Sequence, residues 1–280
     1  MADADLTELL TELFGAAAAR DAEGPWLVVG AHSDDETIGA SWLLARARPL
    51  TIVQLTDGAP HDATLWPSTA PPTRAGYASL RRFETEQALA IVGIPPAHIV
   101  NLGLADQDAT FGIVGAVQAL GRLLDELSPR VVITHPYEGG HPDHDAVAVS
   151  VRAALAARRV AGQSVPRLIE MTSYHLHEGK IRTGAFLPAP AREAVRALSS
   201  EELTRKQRMF ACYASQHEVL GWFRIDEERF RAAPVLHLGE PPHAGPLHYE
   251  TLGFPMRGER FRLLALQALT QLGFDESALL

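Results

Sequence analysis

The strongest constraint on this chain is a series of short, mostly apolar segments, each followed by a stretch with helical periodicity. Residues 26–30 are a continuous apolar run, and 50–55 and 130–134 are short, mostly apolar segments centred on Ile52-Val53 and Val131-Val132-Ile133. Each therefore reads as a strand buried on both faces. Residues 98–102 form a further short strand candidate, and 37–47, 77–92, 114–127 and 143–158 carry helical patterns. This alternation predicts an α/β fold: a Rossmann-like, doubly wound, mostly parallel sheet with helices on both faces. Ligands in such sheets sit at the carboxyl ends of the strands, where the strand order reverses. The loops after Gly30 and after Thr134 are thus the expected addresses for chemistry.

The rest of the chain is less sharply patterned. Leu6, Leu9, Leu10, Leu13 and Phe14 predict an opening amphipathic helix that stops before Pro25. The Pro-, Thr- and Ser-rich stretch 59–75 is too long for an ordinary connection and reads as a functional loop or lid. Residues 168–176 suggest a strand, 201–213 a helix, 234–256 a loop and 261–272 a last helix. We expect one domain over 1–280, with 217–280 contributing pocket loops and the final helix.

Composition narrows the function. The net charge of −9 argues against nucleic acid or an anionic membrane as the main partner. No stretch approaches the roughly 20 apolar residues of a membrane span. Asp3, Asp5, Glu8 and Glu12 do not read as a secretion signal. The expectation is a cytoplasmic protein acting on a small-molecule substrate. Cys212 is the single cysteine, so an intrachain disulfide and a cysteine-based zinc site are both excluded. The twelve histidines are then the softest metal ligands available.

Two clusters stand on the two expected loops. The first is His32-Ser33-Asp34-Asp35-Glu36, an imidazole followed closely by three consecutive carboxylates. Crowded carboxylates repel unless a cation relieves them, although a helix N-terminus relieves part of the cost. A charged helix cap and a metal site are both open readings of this loop. The second runs from His135 to Asp145 and contains His141-Pro142-Asp143-His144. Its bland reading is again a helix cap by Asp143 or Asp145. Together the loops supply His and Asp donors, which suit zinc. Three protein ligands would leave one position open, the catalytic arrangement.

The motif pair closely resembles the two signatures of the PIG-L/LmbE zinc-dependent deacetylases, His-Pro-Asp-Asp-Glu and His-Pro-Asp-His. Weaker echoes are Thr56-Asp57-Gly58, then Arg82 and Glu84 on an Arg-rich helix, then Lys206 with Ser215-Gln216. The likeness runs from about residue 26 to about residue 216. It implies Zn2+ held by His32, Asp35 and His144. It implies Asp34 as general base, His141 as proton donor to the amine or stabiliser of the oxyanion, and Asp143 as the residue orienting a histidine. These roles fit a carboxylate that accepts a proton and an imidazole that titrates where one must be returned. Ser33 departs from the family's usual proline and should leave the loop less rigid.

Other residues have weaker claims. His175 and His177 alternate on a predicted strand and could pair on a second metal, though exposed strand histidines are the commoner case. His61, His98, His217, His237, His243 and His248 show no partner pattern, and only His61 and His248 lie in loops that could rim a pocket. Tyr137 could donate to an oxyanion or simply pack, and Arg82 could hold a substrate anion or pair locally. Trp222 and Phe223 suit a core or interface better than a sugar platform. The implied function is hydrolysis of an N-acyl amide, foremost the deacetylation of an N-acetyl amino sugar or its conjugate. The alternatives are an amidase for a larger thiol- or sugar-conjugate amide, and a non-catalytic metal-binding protein. A nucleotide-binding enzyme lacks its glycine fingerprint here, and a serine hydrolase lacks its Gly-x-Ser-x-Gly elbow.

Overall fold

The computed structural model describes residues 23–279, so the amphipathic segment expected at the N-terminus lies outside the described residues. Strand β1 (Glu23–Gly30) leads into helix α1 (Asp35–Leu44), and β2 (Arg48–Pro60) into α2 (Arg74–Ala90). Then follow β3 (Ile99–Asp106), α3 (Ile113–Leu127), β4 (Val131–Thr134), α4 (Pro142–Val160) and β5 (Arg167–Met171). A hairpin of β6 (Tyr174–His177) and β7 (Lys180–Thr183) precedes β8 (Glu193–Ala197) and α5 (Ser200–Phe210). The single turn α6 (His217–Leu220), β9 (Glu227–Ala232), α7 (His248–Thr251) and α8 (Gly258–Gln271) complete the order. Among the described residues no helix is long and apolar enough to cross a membrane.

Seven strands form one sheet in the order β3-β2-β1-β4-β5-β9-β8. Strands β1 to β5 pair in parallel, while β9 and β8 are antiparallel additions at one edge. The chain lays β2 and β3 on one side of β1, then β4 and β5 on the other. The order therefore reverses between β1 and β4, and the loops after these two strands flank the crevice. The apolar runs do bury both faces. Leu27, Val29 and Val132 meet α3, α4 and α8 in one core, whereas Trp26, Val28, Val131 and Ile133 meet α1, α2 and α5 in the other. This is the predicted α/β class.

Two local expectations change. The single strand expected over 168–176 is two strands in two sheets, because the chain leaves the main sheet at Thr172 and Ser173 to form the β6–β7 hairpin. Strand β9, of sequence EERFRA, carries too many charges to read as buried. Its charges are neutralised inside the protein. Arg231 binds Glu170 at 2.7 Å and Glu138 at 3.3 Å, and Glu228 accepts from Lys206 at 2.9 Å. Long-range pairing of this kind leaves no trace in local periodicity.

Two placements generate predictions. The Lys206–Glu228 pair is fully buried and ties α5 to β9, while Lys206 also donates to the Ile38 carbonyl at 2.7 Å and Glu228 accepts from Ser41 and the Trp42 amide of α1. Glu228→Ala would strand a buried ammonium and is expected to cost about 3–5 kcal/mol in a urea titration. The loop after β4 runs backbone to backbone against β6. A Cβ on Gly140 would lie 2.0 Å from the Tyr174 carbonyl oxygen. Gly140→Ala must therefore move the loop, and should destabilise the protein by about 1–3 kcal/mol or more in the same measurement.

Candidate metal centre

The first loop is held by its own side chains. Thr56 donates both its amide and its hydroxyl to the Ala31 carbonyl at 2.9 Å. Asp35 turns inward: Oδ2 accepts from the Ala31 amide at 2.9 Å and the His32 amide at 2.8 Å. The same oxygen lies 2.9 Å from His135 Nε2. Asp34 occupies the N-cap of α1 with φ 107°, a left-handed conformation that costs a non-glycine residue about 1–3 kcal/mol. Its carboxylate makes no cap bond. It faces Arg81 instead, with Nη2 3.1 Å from Oδ2. The helix-cap reading of this loop therefore fails at the carboxylate, which is aimed at the pocket.

Arg81 also donates to the Ser33 carbonyl. The loop is thus clamped at Ser33 without the proline of the resembling motif. Gly58 makes room for that guanidinium: its φ is +69°, and a Cβ there would stand 2.9 Å from Arg81 Nε. Glu84 lies 3.6 Å from Arg81 Nη1 and accepts from the Ser215 amide at 2.8 Å and hydroxyl at 2.6 Å. The weak sequence echoes at 56–58, on α2 and at 215–216 thus form one chain of contacts leading to Asp34.

The second loop delivers its histidines through the start of α4. Asp145 accepts from the Glu138 amide at 3.2 Å and the Gly139 amide at 3.0 Å, pinning the turn. His141 caps α4, its Nδ1 accepting from the Asp143 amide at 3.2 Å, so the ring proton of the neutral imidazole belongs on Nε2. Asp143 is fully buried and reaches back across the crevice. It lies 3.2 Å from His32 Nε2 and accepts from the Gln107 amide at 2.6 Å and the Ala109 amide at 3.1 Å.

His32, Asp35 and His144 each offer one ligand atom, all within 4.8 Å of one another. His144 Nε2 is 3.2 Å from Asp35 Oδ1, and His32 Nδ1 is 3.7 Å from Asp35 Oδ2. The outward nitrogens are both held, His32 Nε2 by Asp143 and His144 Nδ1 by Ser173 Oγ at 3.2 Å. Such outer partners fix the tautomer and direction of a metal-binding imidazole. A second group, His32, Asp106, His141 and Asp143, is equally compact. Both oxygens of Asp143 are already taken by backbone amides, whereas Oδ1 of Asp35 accepts no amide and faces His144. Two imidazoles and a carboxylate in a buried crevice fit a divalent metal ion.

The electrostatics of the cleft are tense. Burial pushes the Asp34 carboxyl up to about 7, against the pull of Arg81 and with added repulsion from Asp35. Burial acts the same way on Asp106, but His32 and His141 outweigh it and hold that carboxyl down at about 2. Burial pulls His32 down, yet Asp106, Asp143 and Asp35 together keep its imidazole well above the usual range. Burial and the neighbouring His32 depress His141 to about 3, while burial and His135 depress His144 to about 4.

These groups line a pocket of about 210 Å³. All six predicted site residues belong to one cluster: His32, Asp34, Asp35, His141 and His144 line the pocket, and Asp143 supports it from behind. Asp106 was missed, although it ends a strand of the parallel sheet, the position where ligand-facing residues belong. Its ring neighbours are His32 at 3.4 Å and His141 at 3.8 Å. His248 is buried rather than superficial, and Nδ1 lies 3.2 Å from the Gly140 carbonyl oxygen. Tyr174 also lines the pocket, its ring set edge-to-face against His144 with centroids 5.2 Å apart. Burial and then Asp35 raise its phenol well above the usual range, so it stays protonated.

Other readings left open by the sequence resolve. Arg82 is exposed and pairs with Glu86 one turn along α2, at 2.9 Å, and the arginine facing the site is Arg81. Tyr137 stacks on Phe261 at 5.9 Å and lines a separate cavity, so it packs. Trp222 and Phe223 line the pocket. His175 is buried against Glu138 at 3.2 Å, His177 is exposed, and they form no second metal pair. His61 sits on the surface 3.0 Å from Asp108.

Comparison with known proteins places this geometry. The family described as PIG-L, GlcNAc-PI de-N-acetylase, matches residues 27–155. The 1D-myo-inositol 2-acetamido-2-deoxy-alpha-D-glucopyranoside deacetylase of Nocardia farcinica is 30% identical over 222 residues, covering 69% of this chain and 72% of the relative. The probable N-acetyl-alpha-D-glucosaminyl L-malate deacetylase 2 of Bacillus anthracis is 32% identical over 161 residues, covering 55% and 69%. Among solved structures, a deacetylase from the biosynthesis pathway of teicoplanin shares the fold at TM-score 0.53 and 18% identity, covering 74% of this chain and 96% of its own. The N,N'-diacetylchitobiose deacetylase of Pyrococcus horikoshii does so at TM-score 0.50 and 16% identity, covering 80% and 91%. With two motif-bearing loops at the switch point and a relative matched along most of its length, the chain belongs to the PIG-L family of deacetylases.

Proposed function

We propose that this chain is a zinc-dependent hydrolase that removes the acetyl group from an N-acetyl amino sugar or its conjugate. The observation that carries the reading is the His32–Asp35–His144 trio at the floor of the pocket, with Asp34 beside it and no cap bond to occupy its carboxylate. The named relatives, which act on N-acetylated glucosamine conjugates, support the substrate class. The late segment 217–279 supplies pocket residues from Val219 to Phe254 and packs α8 on α3 and α4, which supports taking the chain as one domain.

In this proposal His32, Asp35 and His144 hold the ion. When bound, a zinc ion supplies Lewis acidity toward the acetamide carbonyl and toward water. The remaining work falls to the chain. Asp34, poised near neutrality by burial, takes the proton of the attacking water and can return it to the departing amine nitrogen. His141 enters neutral with its proton on Nε2, so it serves the developing oxyanion as a hydrogen-bond donor. Asp143 keeps His32 directed at the ion. The C–N bond then breaks, giving acetate and the free amino sugar.

Two substitutions test these roles. Asp34→Ala should lower kcat on an N-acetylglucosamine conjugate by on the order of 10²–10⁴-fold, with zinc content unchanged by elemental analysis. Full activity in that variant would sink the general-base assignment. Asp143→Asn should weaken zinc affinity by about 10–100-fold in a chelator competition, since it removes the charge that orients His32. Unaltered affinity would show that His32 needs no such support.

A further inference from the structure

The pocket mouth has a chemistry of its own. Of the large apolar side chains left substantially exposed, three stand at this mouth: Leu65 at 46%, Trp222 at 47% and Leu252 at 45%. They come from three segments far apart in sequence: the connection after β2, the turn after α6 and the end of α7. Val219, Phe223 and Phe254 continue the apolar wall inward, with Phe254 set edge-on against His141 at 5.4 Å. Leu65 and Val219 also line a neighbouring groove, so this side of the mouth opens onto further surface. Exposed apolar side chains gathered around one cleft suit the binding of an apolar ligand group.

Charge points the same way. The pocket is lined by Asp34, Asp35 and Asp106, and its one arginine or lysine is Arg81, which is buried and bonded to Ser33 and Asp34. Among the described residues no second arginine or lysine lines this pocket to meet an anionic substituent. A carboxylate or phosphate carried beside the sugar would face carboxylates, whereas an uncharged apolar group would cover Leu65, Trp222 and Leu252.

We infer that the substrate is an amino-sugar conjugate whose aglycone is uncharged and apolar, alkyl or aryl, and lies along the Leu65–Trp222–Leu252 strip. This rests on the proposed deacetylation of the same site. Its test uses three 2-acetamido-2-deoxyglucosides with the zinc-loaded enzyme, bearing methyl, hexyl and malyl aglycones. Calorimetric binding of the corresponding free-amine products is measured alongside turnover. The hexyl compound should exceed the methyl one by roughly tenfold or more in kcat/KM and in product affinity, since even one methylene in an apolar pocket is worth about tenfold. The malyl compound should be the poorest of the three. Trp222→Ser and, separately, Leu252→Ser should remove most of the hexyl advantage over the methyl glycoside, seen in the ratio of their KM values. Equal hexyl and methyl binding, preference for the malyl compound, or an undiminished hexyl advantage in both variants would overturn the inference. Turnover of none of the three would instead count against the proposed reaction, while the binding measurements would still decide the mouth.

Discussion

The structure depends on keeping three buried carboxylates, Asp34, Asp35 and Asp143, and the partly buried Asp106 together at the carboxyl end of a parallel sheet. Left alone they would repel one another and lose their hydration, so the crevice would open or take up protons. The fold answers with specific partners. Asp143 and Asp35 each accept two backbone amides, Asp34 faces a buried arginine, and the imidazoles of His32, His135, His141 and His144 stand among them. Divergent proton affinities follow, with Asp34 pushed up to about 7 and Asp106 held down at about 2. Neighbouring acids whose environments drive them apart are what acid–base chemistry requires.

The sheet makes this concentration possible. Because β1 and β4 flank the reversal of strand order, the two loops leaving them meet without either having to be long. Each loop then starts a helix, so its amides are available to the carboxylates rather than satisfied elsewhere. The strained φ of Asp34 follows from the same economy of space: the residue turns its carboxylate away from its own helix and toward Arg81. The contacts from Ser215 through Glu84 and Arg81 to Asp34 carry that support out to the late part of the chain.

Much of this was legible in the sequence, for definite reasons. Two-sided burial writes itself as unbroken apolar runs, so β1, the core of β2 and β4 and their order were readable, and with them the two loop addresses. The six candidate site residues lie inside those loops, where the likeness to the PIG-L/LmbE motif pair singled them out. What escaped depends on contacts between distant segments. Asp106 is one acid at the end of a weakly patterned strand, and only the fold brings it to His32 and His141. Arg81 and Arg82 are adjacent in sequence, and only the exact phase of α2 decides that Arg81 is buried while Arg82 is exposed. Strand β9 was hidden by charges whose partners lie on β5, α5 and the loop after β4. The pocket roles of Trp222 and His248 likewise come from loops that local patterns do not fold.

The central claim is where the ion sits, since two compact ligand groups share His32. Anomalous diffraction at the zinc edge from crystals of the zinc-loaded protein tests it most directly. The account predicts a single peak bounded by His32, Asp35 and His144. A peak enclosed by Asp106, His141 and Asp143 instead, or no bound ion at all, would contradict it.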